Sequence, residues 1–389
     1  MLRLLSSVRD AVSRQILRPA AGVHPLSFVV DRKYAREPSQ AYKPGGLHPI
    51  HVGEVYNERY EVVRQLGWGV YSTVWLVHDV KDKHLAAMKV LVGALSNDKS
   101  GWDEPGIMRD LRAKNSESPG YRHIVQLLDE FVIEGPNGKH ITLVVEAMDV
   151  SVFDVYRRMR DPMPLPLVKR VAKHTLLALQ YMHECNIIHT DIKGENILMT
   201  GQPLPTVPDV CELSLDDLLS QTFKLADFGS ANRTDKHFTS LIQPVALRSP
   251  EVILSAQWDA KTGIWNFGCL MYEFARGAKL FDPFWRNEES GLNPSETHLA
   301  QMTGLLGQFS SRLLAKGQQS DVYFDQNGRL RKGEGQYDIR LVDLLSRTGL
   351  PSEDVQRTAD FLALTLVIDP EERCTASQLL KHPWLDGID

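Results

Sequence analysis

Between Arg59 and Glu146 the apolar residues fall in short runs, and beyond Met148 they fall at helical spacing, and this change of period narrows the fold more than any other feature. The runs Tyr60–Leu66, Ser72–Val80 and Leu85–Val92 are rich in β-branched and aromatic residues and are separated by turn chemistry. The same texture returns at Ile124–Ile133 and His140–Glu146, split by the turn Gly135-Pro136-Asn137-Gly138. Five predicted strands in so short a span make a small antiparallel sheet. Further on, Val168, Val171, Ala172, Leu176, Leu179 and Met182 share one face of a helix, and Pro166 suits its first turn. Helix then dominates down to Ala376–Leu380. The expected class is α+β, with a β-rich lobe over 56–146, a larger helical lobe over 147–389 and a cleft between them.

Charge and cysteine usage exclude several function classes. A net charge of −5 is too acidic for a chain living by phosphate-backbone contacts, so no direct nucleic-acid partner is expected. The four cysteines lie far apart without a Cys-x-x-Cys pair, which argues against a disulfide framework or zinc site and for a reducing compartment. No apolar run approaches the roughly 18–20 residues of a membrane helix, so no membrane association is expected. Residues 1–55 read as an extension. Its first twenty, MLRLLSSVRDAVSRQILRPA, carry four arginines and one acid, which leaves a mitochondrial presequence open beside a plain extension. Residues 21–55 are rich in Pro, Gly and His and read as an extended lead-in. Cytoplasm and nucleus are the preferred location, with mitochondrial import kept as the alternative, and a monomer is expected.

Four segments carry chemistry. Leu66-Gly67-Trp68-Gly69-Val70-Tyr71-Ser72-Thr73-Val74 joins the first two strands, and its glycines let a backbone turn tightly and bring N–H groups to phosphates; a plain turn is the competing reading. Lys89 stands inside the apolar strand Ala86-Ala87-Met88-Lys89-Val90, where a lysine is expensive unless paired, although it could also snorkel to the surface. Ile187–Leu198 holds His189-Thr190-Asp191-Ile192-Lys193-Gly194-Glu195-Asn196, with Asp, Lys and Asn at 0, +2 and +5 between apolar pairs. Phe223–Gly229 places a second acid, Asp227, after an apolar strand. Each loop alone could be solvated; in this order they make one phosphoryl-transfer set.

The set resembles that of the eukaryotic protein kinases, over about Arg59–Leu385, and implies their bilobal fold. Leu66-Gly-Trp-Gly-x-x-Ser-Thr-Val-Trp75, His189-Thr190-Asp191 and Lys236-His237-Phe238-Thr239 resemble the SR-protein kinases, which phosphorylate serines in Arg/Ser-rich segments, often of splicing factors. The lead-in Pro-Gly-Gly-x-His-Pro-x-His at 44–51 resembles fungal members of that group. The resemblance implies ATP, Mg2+ and a protein substrate. Under it the Leu66, Gly67, Trp68 and Gly69 loop covers the phosphates, Val74 and Ala87 flank the adenine, and backbone at Glu146 and Met148 meets its edge, with Val145 as gatekeeper. Lys89 holds the α- and β-phosphates and pairs with Glu104, Asp191 orients the substrate hydroxyl and accepts its proton, Lys193 neutralises charge, and Asn196 and Asp227 take the metal. Ser249-Pro250-Glu251 stands for Ala-Pro-Glu, with Arg373 as the buried partner of Glu251, a structural role.

Some positions depart from the resemblance. Gly263 stands where the family carries an aspartate that holds the catalytic-loop backbone, with Asp259 one turn earlier as a substitute of different direction. Gly194 replaces the loop's usual proline, a loss of rigidity, and Pro105 beside Glu104 puts the helix start there in question. The docking acids are thinned to Glu288, Glu289 and a lone Glu296 beside His298. The spacer at about 201–220 is short and acidic, a solvated loop with one amphipathic turn or a partner site. With Thr190 before Asp191, no buried arginine awaits a phosphate, so activity without loop phosphorylation is expected. Gly263 and Pro105 keep open a rival reading, a pseudokinase scaffold binding nucleotide or partners without efficient turnover.

Overall fold

Six antiparallel strands in the order β1-β2-β3-β4-β6-β5 form the sheet of the first lobe in the computed structural model, which describes residues 37–97, 100–148, 150–159, 162–201, 213–333 and 339–389. They are β1 (Val55–Tyr56), β2 (Tyr60–Trp68), β3 (Ser72–Asp79), β4 (His84–Leu91), β5 (Leu127–Gly135) and β6 (Gly138–Glu146). The sequence pointed to five; β1, two residues long, is too short to leave a pattern. The register sorts the side chains into two faces, because directly opposed residues share one. Val62, Trp75, Val77, Ala86, Met88, Val90 and Val144 make a closed core on one face. Val74 opposes Lys89, and Leu76 and Val145 flank Ala87, so these residues share the other face, toward the second lobe. A lysine in an apolar strand is thereby aimed at the cleft, not at water.

The expected lead-in is part of this lobe from Ala41 onward. Gly45 N donates to Asn137 O at 2.7 Å, Gly93 N to Gly46 O at 2.9 Å and Asn137 Nδ2 to Leu47 O at 2.6 Å. Leu47 is buried and Ile50 joins the sheet core. Gly46 is required by close approach, since a Cβ there would stand 2.1 Å from Ala41 O. The proposed presequence, residues 1–20, lies outside the described residues.

Helix α1 (Glu104–Lys114) crosses behind the sheet, and α2 (Val152–Arg158) opens the second lobe. The long helix α3 (Leu165–Glu184) has Pro166 in its first turn and buries Val168, Val171, Ala172, Leu176, Leu179 and Met182 completely, the face its periodicity indicated. Two small ribbons lie at the cleft floor: β7 (Ile187–Ile188) with β10 (Asn232–Arg233), and β8 (Ile197–Met199) with β9 (Phe223–Leu225). Between them Ser214 and Asp217 form a reciprocal cap on α4 (Leu215–Ser220), whose Leu218 is buried, the amphipathic turn expected of the spacer; residues 202–212 are outside the description. Helices α5 (Pro250–Ile253) and α6 (Lys261–Arg276) carry the substrate-side frame, with Trp265, Phe267 and Phe274 fully buried.

Candidate active site

Three charges from three elements meet at the back of the cleft. Lys89 Nζ on β4 lies 2.6 Å from Glu104 Oε1 on α1 and 2.8 Å from Asp227 Oδ1 after β9. Burial draws the Lys89 ammonium down, but Asp227 and Glu104 outweigh it and hold its pKa above the ordinary lysine value. That ammonium in turn holds the Asp227 carboxyl well below the usual range, whereas burial raises Glu104. Pro105 does not break the helix. It sits in the first turn, where its missing N–H is not needed, and Asp103 caps the helix by accepting from Gly106 N at 3.0 Å.

The catalytic-loop residues converge a short way along the cleft. Asp191 Oδ2 accepts from Lys193 Nζ at 2.7 Å and from Asn196 Nδ2 at 3.1 Å, and that amide also reaches Asp191 O at 2.9 Å. Burial lowers the His189 pKa, and its Nε2–H donates to Ala226 O at 2.9 Å while Nδ1 accepts from Asp191 N at 3.3 Å, the bonding pattern of a neutral ring. Thr190 holds the left-handed region at φ 63° and donates to Ser230 O at 2.5 Å, which ties the loop to the segment after Asp227. No arginine stands there to demand a phosphate.

A small apolar cluster of Val125, Met148 and Ala226, with Val145 and Leu198 at its rim, stands apart from both lobe cores at the hinge. Val74 and Ala87 share the sheet face of Val145 at its rim, so together these residues offer apolar surface suited to a flat heterocycle. Leu66, Gly67 and Trp68 complete β2, and Gly69 N donates to Ser72 O at 2.8 Å to close the loop. The tight-turn reason for its glycines is corrected here: neither has a positive φ. What they give is room, since a Cβ on either would meet nothing within 4 Å. Glu146 is held from below by Lys224 Nζ at 2.5 Å.

The residues present fit a hard divalent cation. Asp227 keeps a carboxylate whose side chain is 51 % exposed to the cleft, and Asn196 turns its amide N–H toward Asp191, leaving its carbonyl as an oxygen donor. Gly229 leaves space there, since a Cβ would come within 3.3 Å of Asp227 Oδ1 and Glu104 Oε2.

Two departures take a different meaning in three dimensions. At Gly194 a Cβ would lie 3.0 Å from Phe153 Cβ and 3.1 Å from Phe274 Cζ, so these side chains crowd the space a proline would need. Gly263, in the first turn of α6, offers the loop no acceptor, and Asp259 is engaged in accepting from Lys261 N at 2.8 Å. An added Cβ would meet only the tip of Ile192 at 3.2 Å, which can give way. Gly263→Asp therefore adds an acceptor under the loop and a favourable charge in a helix first turn, worth about 0.3–1 kcal/mol from the helix dipole alone. We expect a higher melting temperature and up to about a tenfold rise in kcat, equivalent to about 1.4 kcal/mol. An unchanged rate with a lower melting temperature would show that the packing has adapted to glycine. Two of the three docking acids are engaged as well: Glu296 pairs with Lys332 at 3.1 Å and Glu289 with Arg286 at 3.3 Å, while His298 is buried.

Leu198, Lys224 and Trp102 belong to the site and carried no sequence assignment. Of these, Lys224 had a local signal, standing like Lys89 inside an apolar run, Phe223–Ala226.

Comparison with known proteins agrees with this geometry. The family described as "Protein kinase domain" matches residues 60–385. A serine/threonine-protein kinase SRPK from Physarum polycephalum is 34% identical, over 90% of this chain and 92% of its own length. Protein kinase dsk1 from Schizosaccharomyces pombe is 29% identical, over 95% and 88%. SRSF protein kinase 3 from Homo sapiens is 25% identical, over 90% of each chain.

Proposed function

The chain belongs to the protein kinase family as an ATP-dependent serine/threonine kinase resembling the SR-protein kinases, and on that footing we propose that it phosphorylates serines in Arg/Ser-rich, splicing-related proteins. The observation that carries the reading of the site is the pairing of Lys89 with both Glu104 and Asp227, beside an Asp191 already bonded to Lys193 and Asn196. The SR-protein kinase relatives support the substrate class.

In this reading Lys89, positioned by Glu104, anchors the α- and β-phosphates of ATP, and the open backbone of Gly67–Gly69 lies over them. The adenine fills the slot between Val74, Ala87, Met148 and Leu198. Asp191 accepts a hydrogen bond from the substrate hydroxyl and takes its proton as the oxygen bonds to the γ-phosphorus and the bond to the β-phosphate bridging oxygen breaks, giving ADP and phosphoserine. Lys193 stabilises the charge that builds on the transferring group. Asn196 and Asp227 would hold Mg2+, which when bound neutralises phosphate charge. We place the enzyme, as a monomer, in cytoplasm and nucleus, with mitochondrial import as the alternative raised by residues 1–20.

The test is phosphate transfer from Mg-ATP to an Arg/Ser peptide, with and without prior phosphatase treatment of the purified enzyme. We expect phosphoserine in both arms, and loss of transfer when the peptide's arginines become alanine. Transfer to a serine peptide lacking arginine, with none to the Arg/Ser peptide, would refute the substrate class. Activity abolished by phosphatase would refute activation without loop phosphorylation.

A further inference from the structure

The carboxylate that pairs with Lys89 stands at the weakest point of its helix. Helix α1 begins at Glu104 itself, so no preceding turn braces the residue, and first turns fray. Its cap is closely fitted: a Cβ on Gly106 would stand 2.1 Å from Asp103 Oδ2 and displace the capping carboxylate. The second acid on Lys89, Asp227, is left-handed at φ 62°, an uncommon backbone state that aspartate enters more readily than most residues. An acid in a helix first turn and an acid in a left-handed turn thus have to reach one ammonium together.

The structure joins them directly. Trp102, two residues before Glu104, donates its indole N–H to the carbonyl of Gly229, two residues after Asp227, at 2.9 Å. Arg233 on β10 donates to Asp103 Oδ2 at 3.2 Å and also reaches Asp110, so the same helix is held from the segment beyond. The Arg233 contacts are partly exposed ion pairs, which salt and water weaken. The Trp102 contact is part-buried and needs a ring N–H, which phenylalanine and tyrosine rings do not have.

We propose that Trp102 is a positioning residue for phosphoryl transfer, its indole N–H on the Gly229 carbonyl docking the start of α1 against the Asp227-Phe228-Gly229 turn so that Glu104 and Asp227 engage Lys89 as one unit. It rests on the reading of Lys89 and Glu104 as nucleotide machinery. The unit closes without a phosphate group, which accords with the neutral Thr190 in the catalytic loop.

Trp102→Phe keeps the ring and removes the donor. In the full chain we expect kcat, measured both with an Arg/Ser peptide and as ATP hydrolysis without peptide, to fall about tenfold while the peptide KM holds. A double-mutant cycle separates positioning from general support of the fold. In a Glu104→Gln background the same change should alter turnover by less than about twofold, because Trp102 acts through Glu104. Wild-type kcat in Trp102→Phe overturns the proposal. So does an equal loss in both backgrounds, which is also what a general loss of folded enzyme would give. Wild-type turnover in Glu104→Gln alone would instead refute the nucleotide role of Lys89 and Glu104, and the proposal with it.

Discussion

Asp191→Ala is expected to lower kcat by about a thousandfold or more while ATP still binds with near wild-type affinity. The carboxylate receives Lys193 and Asn196 side chains and is the acid placed to meet a substrate hydroxyl, so its loss removes proton transfer and orientation together. Proton transfer by a positioned side chain alone contributes about 10²–10⁴-fold. Asp227→Ala should reach a similar loss by another route. Lys89 would keep only Glu104 as a partner, and the cleft would lose its half-exposed carboxylate. The two variants separate in calorimetry: ATP affinity should keep its Mg2+ dependence in Asp191→Ala and lose most of it in Asp227→Ala. Turnover like wild type in either variant would remove the assignment, and an Asp227→Ala protein with unaltered Mg2+ dependence would move the metal elsewhere.

The acids tested there were visible in the sequence because each lies in one short loop whose spacing is its own signal. Asp191, Lys193 and Asn196 fall within six residues, and Asp227 follows its strand directly. The paired strands were visible for the same reason, since β-branched runs and the Gly135–Gly138 turn act over a few residues. What stayed hidden depends on distant partners. Trp102 meets Gly229 across 127 positions and Lys224 meets Glu146 across 78, and neither residue names its distant partner. Leu47 and Ile50 sit among Pro, Gly and His without a period, so nothing local says that the lead-in is buried against the sheet. The surroundings of Gly194 were hidden for a different reason. Its effect was read from backbone freedom, whereas Phe153 and Phe274 decide what fits there, and both come from other helices.

The buried pair at the base of the substrate-side frame shows how a residue can matter to catalysis without approaching it. Arg373 Nη1 and Nη2 meet Glu251 Oε1 and Oε2 at 2.8 and 3.0 Å, with both side chains out of contact with water. The same guanidinium also donates to Val367 O at 2.9 Å, Lys261 O at 2.8 Å and Ile368 O at 3.3 Å. It therefore joins α5, the first residue of α6 and the chain after the helix Ser352–Thr365 through one planar group. Removing one member of a buried pair leaves the other charge without compensation, at a cost of about 3–5 kcal/mol. We expect Arg373→Met to lower the melting temperature by roughly 5–10 °C and to weaken peptide binding more than ATP binding, because Glu251 follows the segment that faces substrate. Glu251→Leu added to Arg373→Met removes the stranded carboxylate and should recover part of the loss. Recovery stays incomplete, since the carbonyls of Lys261, Val367 and Ile368 still lack their donor. A double variant as unstable as Arg373→Met alone would assign the whole effect to those carbonyls, and an Arg373→Met protein that melts like wild type would show that the frame holds without the pair.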